Sequence, residues 1–141
     1  MVQAQDFFHS ILLTVVGGAF GAAGFSLNDN PIKLAGGQFR FVRPADETSE
    51  SAAIVFQHLA YQDTEWSSGM PSRFKVILHH PDGTRRDLSA LVVEDFGVAI
   101  LPSAAHWWTY RNTEELGQAL AEAGHLIVGY GLPWLNGDLT P

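Results

Sequence analysis

Residues 7–28 carry no charged side chain, and that run limits what the chain can fold into more than any other feature. It reads FFHSILLTVVGGAFGAAGFSLN. A run of this kind suits a membrane span, a secretory leader, a strand entering a dinucleotide-binding loop, or the helix of a globular core. A span needs about 20 predominantly apolar residues, and the length suffices. The composition argues otherwise: Gly17, Gly18, Gly21 and Gly24 crowd the second half, with His9, Ser10 and Thr14 in the first. A leader needs a basic segment ahead of its apolar stretch, whereas the residues before Phe7 offer only Asp6. A dinucleotide loop needs glycines spaced G-x-G-x-x-G, so that the backbone can turn tightly against a pyrophosphate. Counting from Gly17, Ala19 and Ala22 occupy the second and third of those places.

The bulky residues instead recur at helical spacing: Phe7/Phe8, Ile11/Leu12, Val15/Val16, Ala19/Phe20 and Ala23. Asp6, Ser10, Thr14, Gly17 and Gly21 take the other side. One apolar stripe on a helix is what a globular core requires. The spacing predicts a helix over residues 5–23 with Phe8, Leu12 and Val15 buried and Gly17 and Gly21 against a close neighbour or solvent. Gly24 is the expected left-handed residue after the helix, and Phe25 the apolar contact that follows it.

At 141 residues the chain is long enough for one domain with a sizeable core. It is 46% hydrophobic and 16% charged, a globular balance. The net charge of −7 speaks against nucleic acid as the main partner, because phosphates are met by Lys and Arg. The charges are unevenly spread: seven of the eight Lys and Arg fall in residues 30–86, and residues 87–141 set Arg111 against seven acids. Cysteine is absent, which excludes disulfides and thiolate chemistry and suits a bacterial-type cytoplasm.

Strand signals follow the first helix. Residues 39–43 follow the Gly36-Gly37 turn, and residues 44–51 read as a polar loop. Residues 52–61 form an apolar stretch suited to a central strand, and residues 62–72 a loop. Residues 73–80 alternate, with Phe74, Val76 and Leu78 on one side and Arg73, Lys75 and Ile77 on the other. Pro81-Asp82-Gly83 is a hairpin turn, with a return over residues 84–88. Residues 88–96 suit either a short helix capped by Asp87 and ended at Gly97, or a strand. Residues 98–101 and 107–110 read as short strands. Asn112 and Glu115 form a capping-box pair at the start of a second long helix, with Leu116, Leu120, Ala123 and Ile127 on its apolar face. Gly124 is a candidate kink, and Gly129, Gly131 and Pro133 are its expected stop. This order predicts an α+β domain: an antiparallel sheet of about four to six strands, with the N-terminal and C-terminal helices packed on one face.

No catalytic constellation emerges. There is no G-x-S-x-G elbow, no phosphate loop and no H-E-x-x-H motif. Glu94-Asp95 and Glu114-Glu115 are adjacent in sequence, so neither pair opposes its members across a cleft. His58 and His80 fall on neighbouring strands, but zinc needs three or four ligands, and no metal or cofactor is expected. The aromatics are the remaining signal. Trp66, Trp107, Trp108 and Trp134 sit in loops or beside element ends, where tryptophans serve as binding anchors or as plugs for a core. If residues 107–108 are extended, one indole faces the core and the other the surface.

These features together resemble an uncharacterised family of small bacterial α+β proteins. The matching motifs are a first helix ending Gly24-Phe25, the strand Phe39-Arg40-Phe41, and the strand Ile54-Val55-Phe56-Gln57. They continue with Arg73-Phe74-Lys75-Val76, a Trp before a helix, and the Gly131 to Leu135 tail. The chain departs from the pattern in its glycine-rich segment 17–24 and in residues 31–37. Family members are similar in outline to immunity proteins of bacterial toxin systems, and the resemblance attributes no catalytic residues to them. It implies a cytoplasmic, non-enzymatic domain that binds a protein. The alternative is a ligand-binding domain or enzyme with a pocket between helix and sheet lined by Trp107, Trp108, His58 and His80. A homodimer paired through a sheet edge or an aromatic patch is the third reading. None of the three involves a membrane.

Overall fold

A computed structural model describes residues 4–27, 37–43, 51–59 and 72–140. The charge-free run is helical. It is an α-helix over Ala4–Leu12, a π turn over Leu13–Gly17 and an α-helix again over Gly18–Ala22. Its end follows the expected chemistry. Gly24 sits at φ +90, the Gly24 N–H donates to the Gly21 carbonyl, and the Phe25 N–H donates to the Phe20 carbonyl. These are the two bonds of a Schellman motif, with Phe25 and Phe20 both buried as its apolar contact.

The π turn corrects one expectation. Phe8, Leu12, Val16 and Phe20 are the buried residues, and Val15 is exposed. Steps of four residues overshoot an α-helical turn by about 40° each, so three steps would carry Phe20 roughly 120° off the line of Phe8. A π turn bonds i to i+5 and takes up the extra residue. That keeps the four side chains on one stripe and turns Val15 out. Gly18 and Gly21 face open space, and the nearest side chain to Gly17 is Leu13 of its own helix.

Among the described residues, six antiparallel strands form one sheet, five of them in the order β1 (Ser26–Leu27), β2 (Gln38–Arg43), β3 (Ala52–Leu59), β4 (Ser72–His79) and β5 (Arg85–Asp87). The sixth, β6 (Trp108–Tyr110), pairs with β4 beyond β5, covering Ser72 to Phe74 while β5 covers Ile77 to His79. The expected central strand is β3, flanked by β2 and β4. The hairpin at residues 81–83 forms as read: the His80 N–H donates to the Thr84 carbonyl and Gly83 takes φ +94.

Register sorts the side chains onto two faces. Phe39, Phe56 and Val76 stand in one row, Phe41, Ile54 and Leu78 in the next, and His58, Phe74 and Trp108 in a third. This inner face is the core. Phe8 meets Phe39 and Phe74 at 5.0 and 5.5 Å, and Phe20 meets Phe41 edge-on at 5.0 Å. The C-terminal helix reaches the same face, where a Cβ on Gly131 would lie 3.3 Å from Leu78. The two helices cross where a Cβ on Gly124 would lie 3.1 Å from Val16 Cγ1. The close-packing glycines are therefore in the second helix.

Of residues 88–96, all but Phe96 are helical, with Leu88–Ala90 in α and Leu91–Asp95 in π geometry. Asp87 precedes it in extended conformation without a side-chain capping bond. Residues 98–101 are not a strand. Buried Ser89 secures this stretch by donating to the Ala104 carbonyl and accepting from the His106 N–H. The C-terminal helix starts as expected: Asn112 Oδ1 accepts from the Glu115 N–H, and Glu115 Oε1 accepts from the Arg111 N–H. It does not stop at Gly129 or Gly131. Thr113–Leu126 continues through a π turn at Ile127–Gly131 into Leu132–Leu135. Gly124 is buried within the first of these α segments. Pro133 enters just after the π turn, where the bonding register is already changing, so its missing N–H does not break the helix. The end comes at Gly137, φ +76, with a second Schellman pair: Gly137 N–H to the Trp134 carbonyl and Asp138 N–H to the Pro133 carbonyl.

Candidate functional site

The fold separates the sequence-derived candidates. His58 is fully buried near the end of β3. Its imidazole stacks on Phe8 at 4.0 Å on one side and lies nearly parallel to Tyr110 at 5.8 Å. Its Nε2 hydrogen-bonds the Tyr110 hydroxyl. Burial pushes the His58 pKa down to about 4 and the Tyr110 pKa up to about 12, the latter against a hydrogen bond with Ser72. Both groups are neutral at neutral pH. An uncharged hydrogen-bonded pair is how an aromatic core accommodates two polar groups.

His80 shares the strand parity of His58 but sits at the far end of the sheet. His58 pairs with Phe74, and His80 lies six residues further along, roughly 20 Å at the usual rise of a strand. His80 packs edge-on against Trp134 at 4.8 Å. Trp134 lies in the last helical segment and is half-buried. Trp108 is buried on the inner face, with its ring on Phe74 and its indole N–H donating to Glu122. Trp66 lies outside the described residues. His58, His80, Trp107 and Trp108 therefore do not line one pocket. Among the described residues, no three His, Asp or Glu side chains come together as a metal-ligand set.

Trp107 goes the other way, as alternation requires of a neighbour of Trp108. It is half-buried on the outer face of the sheet. The Arg73 guanidinium lies 4.6 Å from its ring centre and the Lys75 ammonium 5.3 Å. Cations this close to an indole centre are attracted by the negative face of the ring. The same face carries Arg40, Val55 and Ile77 in one row and Val42, Ala53, His79 and Arg85 in the next. Arg40 donates to His79 Nδ1 across β3 at 3.4 Å. Burial first, then the positive charges of Arg40 and Arg85, holds the His79 imidazole below its ordinary pKa. Lys75 meets Asp87 at 3.9 Å. Arg86, of opposite parity, is engaged elsewhere in a two-pronged pair with Asp95 at 2.8 Å that ties β5 to the short helix.

Sequence reasoning did not single out Arg40, Lys75, His79 and Arg85. Their signal was the uneven split of basic residues, but only register shows that three strands direct them to one face. A second feature also went unseen. The exposed sides of the two long helices border a groove of about 350 Å³ lined by Val15, Val16, Ala19, Phe20, Gly124 and Val128. Val15 and Val128 are exposed there.

No protein-family model, no curated protein and no solved structure matches this chain. No described helix is long and apolar enough to cross a membrane.

Proposed function

We propose that the chain is a non-enzymatic interaction domain that binds another protein in a bacterial-type cytoplasm, of the toxin-neutralising kind that the sequence resemblance implies. One observation carries the reading. Trp107, flanked by Arg73 and Lys75, lies on the sheet face opposite the one on which the helices meet the strands. Tryptophan and arginine are the side chains most enriched among the residues that dominate protein interfaces. A ring already held by two cations loses little conformational freedom on docking. Co-purification from the native host, with the full chain as bait at micromolar concentration, tests the reading. A macromolecule retained by the native chain and lost with Trp107→Ala supports it; retention of none overturns it.

The groove between the helices favours a second reading, a small-ligand site. Its volume of about 350 Å³ is at the small end of ligand pockets. A thermal-shift screen with metabolites separates the two, because a ligand far above its dissociation constant stabilises by a few kcal/mol. A shift abolished by Ala19→Leu, which fills the groove, selects the ligand reading.

A further inference from the structure

We infer that the uncharged groove between the two long helices is where a second copy of this chain docks, groove to groove, in a concentration-dependent dimer. Residues 7–28 and 123–137 contain no Lys, Arg, Asp or Glu, in a chain with eight basic and fifteen acidic side chains. A helix that packs on a core through one stripe normally gives charged and polar residues to its other side. Here the other side is uncharged as well. Thr14, Val15, Gly18 and Ala19 are exposed on the first helix, and Ala121 and Val128 on the second. Thr14 spends its hydroxyl on the Ser10 carbonyl of its own helix, at 3.0 Å.

Two π turns shape this surface. The turn at Leu13–Gly17 buries Val16 and leaves Val15 36% exposed, and the turn at Ile127–Gly131 buries Ile127 and leaves Val128 50% exposed. Exposed Val15, Ala19 and Val128 border the groove of about 350 Å³, and buried Val16, Phe20 and Gly124 close it below. Apolar ridges beside an apolar groove are complementary to themselves. Under a two-fold axis the valines of each copy enter the groove of the other, and the same residues serve on both sides.

Charge selects the occupant. At −7 the chain repels its own copies, and that repulsion is least where the described residues carry no charge. A helix that lies on a membrane surface instead borders its apolar face with Lys and Arg, which neither segment supplies. Extent sets the strength. Sixteen helical residues, 7–22, span about 24 Å, and two helices side by side are about 20 Å wide, so two copies bury about 1,000 Å² between them. That is the low end of specific interfaces, which suits a dimer in exchange with its monomer and not an obligate one.

The test is sedimentation velocity of the full chain from about 1 μM to about 1 mM. A monomer–dimer equilibrium is expected, tightening as salt rises and screens the charge of each copy. Val128→Glu, at an exposed position, is expected to weaken association about tenfold or more, because it brings two carboxylates into an apolar contact. The uncharged Ala19→Gln, which fills the groove, should weaken it too, and serves if Val128→Glu disturbs folding. The chain has no cysteine, so Val128→Cys and Thr109→Cys can each be treated with a bismaleimide. Val128→Cys should yield a covalent dimer; Thr109→Cys, on exposed sheet surface in β6, should not. A monomer at every concentration, a dimer undiminished in the folded variants, or equal crosslinking from Thr109→Cys would overturn the inference. So would a chain that stays monomeric while it binds phosphatidylcholine vesicles or takes an apolar small molecule into the groove, because the occupant would then be lipid or ligand.

Discussion

Acidification should destabilise this protein through His58 in particular. The imidazole is fully buried between Phe8 and Tyr110, and burial lowers its pKa from 6.5 to about 4. In the unfolded chain the same imidazole takes a proton near its ordinary value. Between those two values the unfolded state binds a proton that the folded state refuses, so stability rises with pH across this window and falls on acidification. Above pH 6.5 His58 imposes no penalty. At pH 5 the loss is about 2 kcal/mol, and well below pH 4 it reaches about 3 kcal/mol, from 1.36 kcal/mol per pKa unit. His79 and His106 are lowered by burial as well and add in the same direction, so the measurement must be a difference. The comparison is His58→Phe/Tyr110→Phe, which removes the imidazole together with the hydroxyl it bonds. Urea unfolding at pH 7, 6 and 5 gives the free energies. The native chain should lose about 2 kcal/mol more than the variant between pH 7 and 5. Equal losses would show that His58 is charged or solvated in the folded state, and the reading of the core around Phe8 would fail with it.

Three further outcomes follow from the geometry. Gly24→Ala should cost about 1–2 kcal/mol in chemical unfolding, because φ +90 strains any residue with a Cβ, although the space there holds only ordinary contacts with Arg43; a neutral result would mean that the helix ends differently. Gly124→Leu should destabilise by about 1–3 kcal/mol, since even its Cβ would lie 3.1 Å from Val16 Cγ1. Val16→Ala should recover part of that loss in a double-mutant cycle, and strictly additive effects would separate the two helices. Asn112→Ala should cost about 1 kcal/mol by leaving the Glu115 N–H without its acceptor, with the melting temperature falling accordingly.

The local signals were legible because each depends on a few neighbouring residues. Gly24-Phe25 ends a helix wherever a left-handed residue and an apolar contact are needed. Asn112 with Glu115 begins one, and Pro81-Asp82-Gly83 turns a hairpin. Alternation in residues 73–79 named the two faces of β4 before any partner strand was known, and the opposed directions of Trp107 and Trp108 came from the same period of two. The candidate site was much less legible. Tryptophans and histidines were named by type, and the fold scatters them: His58 into the core, His80 and Trp134 to one end of the sheet, Trp107 to its outer face.

Sequence alone determined the α+β class, the hairpin at residues 81–83 and the helix ends at Gly24 and Asn112, because φ requirements and side-chain periodicity act within about a turn or a strand. Tertiary structure alone decided which of Val15 and Val16 is buried, and that the last helix runs on to Leu135. Both depend on π turns, whose altered bonding is settled by what the helix packs against. Only the fold could bring His58 to Tyr110, 52 residues away, or set Arg40, Lys75, His79 and Arg85 on one face. Strand register is a relation between distant segments, and it decides whether scattered charges in an acidic chain cancel or accumulate.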